Sequence, residues 1–275
     1  MSYRDHVDAG WQKICNVDKD QNVYHIGGMY KKERYYRVRA YYETEDKKVY
    51  SIGDSHISLK DKNYEECSIL FEGDDYIKGT KENKSKFDYT KRIKELTDAK
   101  VTVHGKEDRK LKDLVKKVEK DKDYFKGYNI ICIALGGNDY LDNVKIGNVT
   151  DTNKKTFYGQ LNYILKKIEK QNKEAKVVFV TPFYRNKYKK KENVNCYTLE
   201  NDEDYDLNDY AEAMRVLGKY KGVHVYDSEK EGVINVDNVQ FMTKDLIHPT
   251  DFAHGKIGCS FTSFLVECEL LNNDI

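Results

Sequence analysis

No two of the six cysteines, at 15, 67, 132, 196, 259 and 268, form a C-x-x-C pair, and the nearest two stand nine residues apart. That spacing offers neither a zinc site nor a dense disulfide framework, and neither a metal nor a cofactor is expected. Cys132 lies inside an apolar run and reads as a small buried hydrophobe. No apolar run approaches the roughly 18 residues of a membrane span. The first residues, Met-Ser-Tyr-Arg-Asp-His, lack the apolar core of a signal peptide. A cytoplasmic chain is therefore expected, or an extracellular one if this is a piece of a longer secreted protein. A net charge of +1 with 35% charged residues lacks the clustered basic excess of an electrostatic nucleic-acid binder. Prolines number two, Pro182 and Pro249, whereas tyrosines number 23. Many of these tyrosines must be partly exposed. Either some line a carbohydrate-binding groove, or the chain has a general aromatic and lysine bias.

A chain of 275 residues can bury one large domain, or one domain and a small appendage. Residues 1–46 read as a small β-hairpin segment. Residues 23–26 and 34–42 are strand candidates, residues 43–47 make a polar turn, and residues 48–51 return. From residue 47 to 275 strand and helix signals alternate. Strands are expected near 49–52, 100–104, 128–135, 176–180 and 223–226. Helices are expected near 89–96, at Leu111, Leu114, Val115 and Val118, at Phe157 to Ile168, and at Ile257 to Cys268. Such alternation predicts an α/β fold in which a parallel sheet is covered by helices on both faces. Ligands bind such sheets at the carboxyl ends of the strands. Two polar stretches, 58–85 and 183–208, interrupt the pattern. The second is read as a solvated loop, with a substrate lid as the alternative.

Candidate chemistry falls at the strand ends. The first strand stops on Gly53-Asp54-Ser55, which could lift a serine hydroxyl clear of the sheet and is equally an ordinary turn sequence. Gly105 follows the second strand, and Gly136-Gly137-Asn138-Asp139 follows the third. Asp245-Leu246-Ile247-His248-Pro249 follows the fifth, where a carboxylate three residues before an imidazole can orient it. Together they supply a nucleophile (Ser55), a base (His248) and an orienting carboxylate (Asp245). Oxyanion donors would be the N–H groups of Ser55 and Gly105 and the amide of Asn138. His104, His224 and His254 read as structural or surface residues.

In these blocks the chain resembles the SGNH or GDSL-type hydrolases over roughly residues 47–270. Gly53-Asp54-Ser55 matches the first block, Gly105 the second, Gly136-x-Asn138-Asp139 the third and Asp245-x-x-His248-Pro249 the fifth. The resemblance implies a three-layer α/β/α, flavodoxin-like fold with a parallel sheet of about five strands and metal-free ester hydrolysis. Two departures stand out. His56 follows the expected nucleophile and reads as a rim residue, and the second block lacks the usual neighbouring Asn and second Gly. Residues 11–14 and 35–42 resemble strands of a bacterial fibronectin type III domain. No long apolar groove is visible in the sequence, so a short acyl group such as acetyl is expected, and the fibronectin resemblance points by analogy to a small-molecule or carbohydrate ester as substrate. The alternatives are a thioesterase, a lipase-type acylhydrolase, or a catalytically silent binding protein on the same fold.

Overall fold

The computed structural model describes residues 64–78 and 87–271, and within residues 1–63 the backbone of six short strands. The chain divides into two units, Met1–Asn63 and Tyr64–Ile275.

The first unit contains β1 (Ser2–Arg4), β2 (Gln12–Lys13), β3 (Arg34–Val38), β4 (Tyr41–Glu43), β5 (Lys48–Tyr50) and β6 (Ser55–Leu59). Four of them form an antiparallel sheet in the order β2-β1-β3-β6, while β4 and β5 pair as a hairpin with Glu43 opposite Lys48. The expected strand at 23–26 lies outside the described residues. Ser55 departs from expectation. It opens an antiparallel strand, opposite Val38 of β3, instead of closing a parallel one. Gly53, Asp54 and the side chains of Ser55 and His56 lie outside the described residues.

The second unit runs β7 (Ser68–Gly73), α1 (Asp75–Lys78), α2 (Tyr89–Thr97), β8 (Lys100–Gly105), α3 (Leu111–Lys120), β9 (Ile130–Ala134), α4 (Gly137–Leu141) and α5 (Phe157–Gln171). It continues through β10 (Lys176–Val180), β11 (Lys187–Tyr188), β12 (Lys191–Glu192), α6 (Leu207–Lys221) and β13 (His224–Tyr226), and closes with α7 (Ser228–Glu231), α8 (Val239–Met242) and α9 (Asp251–Glu267). Five strands form a parallel sheet in the order β13-β10-β9-β7-β8, so the chain reverses its direction of sheet growth between β7 and β9.

Alternate residues along each strand feed two cores. On one face Ile69 and Phe71 of β7 pack with Tyr89 and Ile93 of α2 and with Ile257, Phe261 and Leu265 of α9. On the other, Leu70, Ile131, Ile133 and Phe179 pack with α3, α5 and α6. Each such fully buried side chain contributes about 1.5–3 kcal/mol relative to exposure, which makes the sheet a rigid base for its loops.

The expected strands at 100–104, 128–135, 176–180 and 223–226 correspond to β8, β9, β10 and β13. The first parallel strand does not lie at 49–52. It is β7, inside the stretch 58–85 that reads as polar. Its apolar run is short, and its acidic Glu72 is fully buried because Arg109 pairs with it and the Tyr124 hydroxyl donates to it at 2.8 Å. The stretch 183–208 is neither a solvated loop nor a free lid. Phe183, Tyr184, Arg185, Tyr188 and Cys196 are buried within it, and β11 and β12 pair across it.

Candidate functional site

The switch between β7 and β9 places Gly73-Asp74-Asp75 at the carboxyl end of β7, beside the central strand β9. Gly73 is required by close packing: a Cβ there would stand 2.2 Å from Ile77 and 3.3 Å from the Ala134 carbonyl. The chain can therefore turn directly from β7 into α1, which presents Asp75. At the end of β9, Gly136 has φ 134°, a conformation open to glycine, and it starts α4 so that Asn138 faces Asp75. The Asn138 amide donates to Asp75 Oδ1 at 3.1 Å and to Asp74 Oδ2 at 3.2 Å.

The third contributor is the loop between α8 and α9. Thr243 and Pro249 form an isolated antiparallel bridge, and Lys244 N–H donates to the His248 carbonyl at 2.8 Å. Closing so tight a loop leaves Leu246 at φ 68°, a left-handed conformation costly for a side chain of that size. Within it Asp245 Oδ1 accepts the His248 N–H at 2.8 Å and the Ile247 N–H at 3.2 Å. Its Oδ2 lies 2.6 Å from His248 Nδ1. Thr250 then caps α9 by accepting from Ala253 N–H, which fixes where the loop ends.

His248 Nε2 lies 3.0 Å from Asp75 Oδ2. The imidazole is thus held between two carboxylates, one within hydrogen-bond distance of each ring nitrogen. Burial alone would lower the His248 pKa, but its hydrogen bonds to the Asp245 and Asp75 carboxylates outweigh it and push the group up to about 9. Burial would raise both partner carboxyls; contact with His248 holds each below its usual range instead. Asp74 behaves differently. Burial, and then the charge of Asp75, push it up to about 7.

Asp245, His248 and Asn138 are therefore brought together as the sequence suggests. Gly105 ends β8 in register with Gly73, and the loop beyond it brings the Arg109 carbonyl to 3.5 Å from the Asn138 amide. Ser55 belongs to the first unit. Where the resemblance puts a serine hydroxyl against the base, the second unit puts the Asp75 carboxylate. Sequence reasoning missed Asp75, although a signal was present: Gly73-Asp74-Asp75 has the Gly-Asp-x form directly after the apolar run Ile69-Leu70-Phe71. His104 bonds Glu72 at 2.7 Å, and His254 is fully buried against the Tyr89 ring, so both are structural. Among the described residues no three His, Cys, Asp or Glu side chains are grouped to hold a metal ion, and no helix is long and apolar enough to cross a membrane.

No protein-family model matches the sequence, and no curated protein is significantly similar to it. Solved structures are. A possible lipase from Chitinophaga pinensis is 18% identical, with a TM-score of 0.56 over 74% of this chain and 99% of that one. A lipase/acylhydrolase from Enterococcus faecalis is 16% identical, with a TM-score of 0.54 over 74% of this chain and 96% of that one. An acetyl xylan esterase is 23% identical, with a TM-score of 0.53 over 72% of this chain and 99% of that one. The parallel sheet and its flanking helices agree with that likeness: the chain carries the flavodoxin-like α/β/α fold of the SGNH/GDSL hydrolases.

Proposed function

We propose that the second unit is a ligand-binding domain on an ester-hydrolase fold, recognising a hydroxyl-rich ligand such as a carbohydrate or its short-chain ester without forming a serine acyl-enzyme. The observation that carries this reading is the 3.0 Å contact between Asp75 Oδ2 and His248 Nε2. A general base must be free to take a proton. His248 is held protonated by two carboxylates, and the group beside it has no hydroxyl to give up. Asp75 is suited to accept hydrogen bonds from ligand hydroxyls. Its carboxylate is fixed by Asn138 and His248 and stays partly exposed at the strand end, where ligands of such sheets bind.

A second reading is an ester hydrolase in which Ser55 is the nucleophile of a Ser55–His248–Asp245 set, with the N–H groups of Ser55 and Gly105 and the amide of Asn138 as oxyanion donors. The 2.6 Å Asp245–His248 contact, a geometry suited to orienting a base, favours it. Its acyl preference would separate a deacetylase from a thioesterase or lipase. A fluorophosphonate probe decides between the two readings. On the first, the wild-type chain is not labelled and hydrolyses p-nitrophenyl acetate no faster than Ser55→Ala. Labelling of the wild type that disappears in Ser55→Ala would replace the first reading with the second.

A further inference from the structure

Beneath the strand ends lies a cavity of about 20 Å³, room for a water or a small ion, lined by Asp74, Tyr76, Tyr89, Gly137, Thr181 and Arg185 among others. Three buried polar atoms on these residues have no hydrogen-bond partner: the Tyr76 and Tyr89 hydroxyls and Arg185 Nε. Tyr89 is fully buried, Tyr76 is 6% exposed and Arg185 is 4% exposed. A guanidinium so buried requires a compensating negative charge. Among the described residues no carboxylate forms an ion pair with it, although Asp74 and Asp75 act on it from further away. Asp74 cannot turn toward it freely, because its Oδ1 accepts the Tyr76 N–H at 2.9 Å and its Oδ2 the Asn138 amide. The remaining polar contacts are likewise committed, since Thr181 Oγ1 is bonded to Ser228 Oγ and accepts the Ser228 N–H. Among the residues lining the cavity, two hydroxyls and one guanidinium N–H are thus without a hydrogen-bond partner.

We propose that this cavity is a built site for a small monoanion of halide size, held by Arg185 and by the hydroxyls of Tyr76 and Tyr89. The proposal is independent of whether the unit hydrolyses esters. The walls suit a compact anion: the Tyr76 ring stacks on Phe183 at 4.6 Å, and Ile77, Leu135 and Val180 close the apolar side. Occupancy would also act on the strand ends. Arg185 Nη2 lies 2.2 Å from where a Cβ on Gly137 would stand, so the guanidinium is the surface on which the first residue of α4 rests. Fixing Arg185 fixes α4, and with it the Asn138 amide on Asp75.

The test uses the 275-residue chain with bromide as the probe and acetate as a larger monoanion for comparison. Crystals grown in sodium bromide should show an anomalous bromine peak within contact of Arg185. Thermal unfolding should show a saturable rise in Tm with bromide, relative to sodium gluconate (too large for the cavity) at equal ionic strength. The rise should disappear in Arg185→Gln and shrink in Tyr89→Phe, which keeps the ring. Water density without an anomalous peak, together with identical Tm values in all three salts, would overturn the proposal. Because that result is read on the wild type, it does not depend on the variants folding.

Discussion

On the proposed reading, replacing Asp75 with serine should turn the strand-end site into a slow serine esterase. In the wild type His248 has a pKa of about 9, so at pH 7 only about 1% of the imidazole is neutral and able to act as a base. Asp75→Ser removes one of the two carboxylates that hold the proton and supplies a hydroxyl in its place. The serine oxygen ends about one bond, roughly 1 Å, short of the aspartate oxygen that now lies 3.0 Å from Nε2. Such a gap is within the looseness that unliganded catalytic sites show before substrate tightens them. The Asn138 amide, released from Asp75, becomes available to an oxyanion. Positioned base catalysis contributes about 100- to 10,000-fold, so Asp75→Ser should release p-nitrophenol from p-nitrophenyl acetate at least about 100-fold faster than the wild type. It should also take up a fluorophosphonate label at residue 75, located by peptide mass. A variant with wild-type Tm that shows neither label nor faster turnover would refute the reasoning, because the hydroxyl would stand in the right strand-end position without reacting.

Four further outcomes follow from the same contacts. His248 should make stability depend on pH: its pKa rises on folding from 6.5 to about 9, so its contribution is complete below pH 6.5 and is lost as pH rises through about 9. The loss is at most about 3 kcal/mol, and urea unfolding at pH 6, 8 and 10 would measure it. Asn138→Ala should leave the buried Asp74 without its side-chain donor and lower stability by about 1–3 kcal/mol, readable as a drop in the urea midpoint at unchanged m-value. Glu72→Gln should strand Arg109, its partner in a buried ion pair, and cost about 3–5 kcal/mol by the same measurement. Gly73→Ala should be worse tolerated than its small size suggests, because the added carbon meets Ile77 and the Ala134 carbonyl; a Tm within one degree of the wild type would show that α1 shifts freely.

The parts of the fold legible in the sequence are those whose apolar residues run together. Ile130 to Ala134 and Lys176 to Val180 announce themselves as strands because few charges interrupt them, and both are largely buried. β7 does not, because its buried acid Glu72 and the following Asp74 and Asp75 read as solvent-facing charge, whereas partners from distant segments neutralise them. Only the fold brings Arg109 and Tyr124 to Glu72. The same distinction runs through the site. Asp245 and His248 are three residues apart on one tight loop, so their contact is a local property. Asn138 follows a glycine that needs φ 134°. Asp75 acquires its meaning from His248, 173 residues later. A search keyed to serine settles on Ser55, which the fold places in an antiparallel strand. Arg185 is hidden for a similar reason: it stands at the edge of a strongly basic stretch, and nothing local distinguishes it from the exposed lysines that follow.

The most direct test of the account is the titration of the His248 ring by NMR in the wild type and in Asp75→Asn. Two carboxylate partners predict a pKa near 9 in the wild type and a clear fall when Asp75 loses its charge. A wild-type value near 6.5, unchanged by Asp75→Asn, would mean that Asp75 does not hold the proton on His248 and that the base is free to serve a serine.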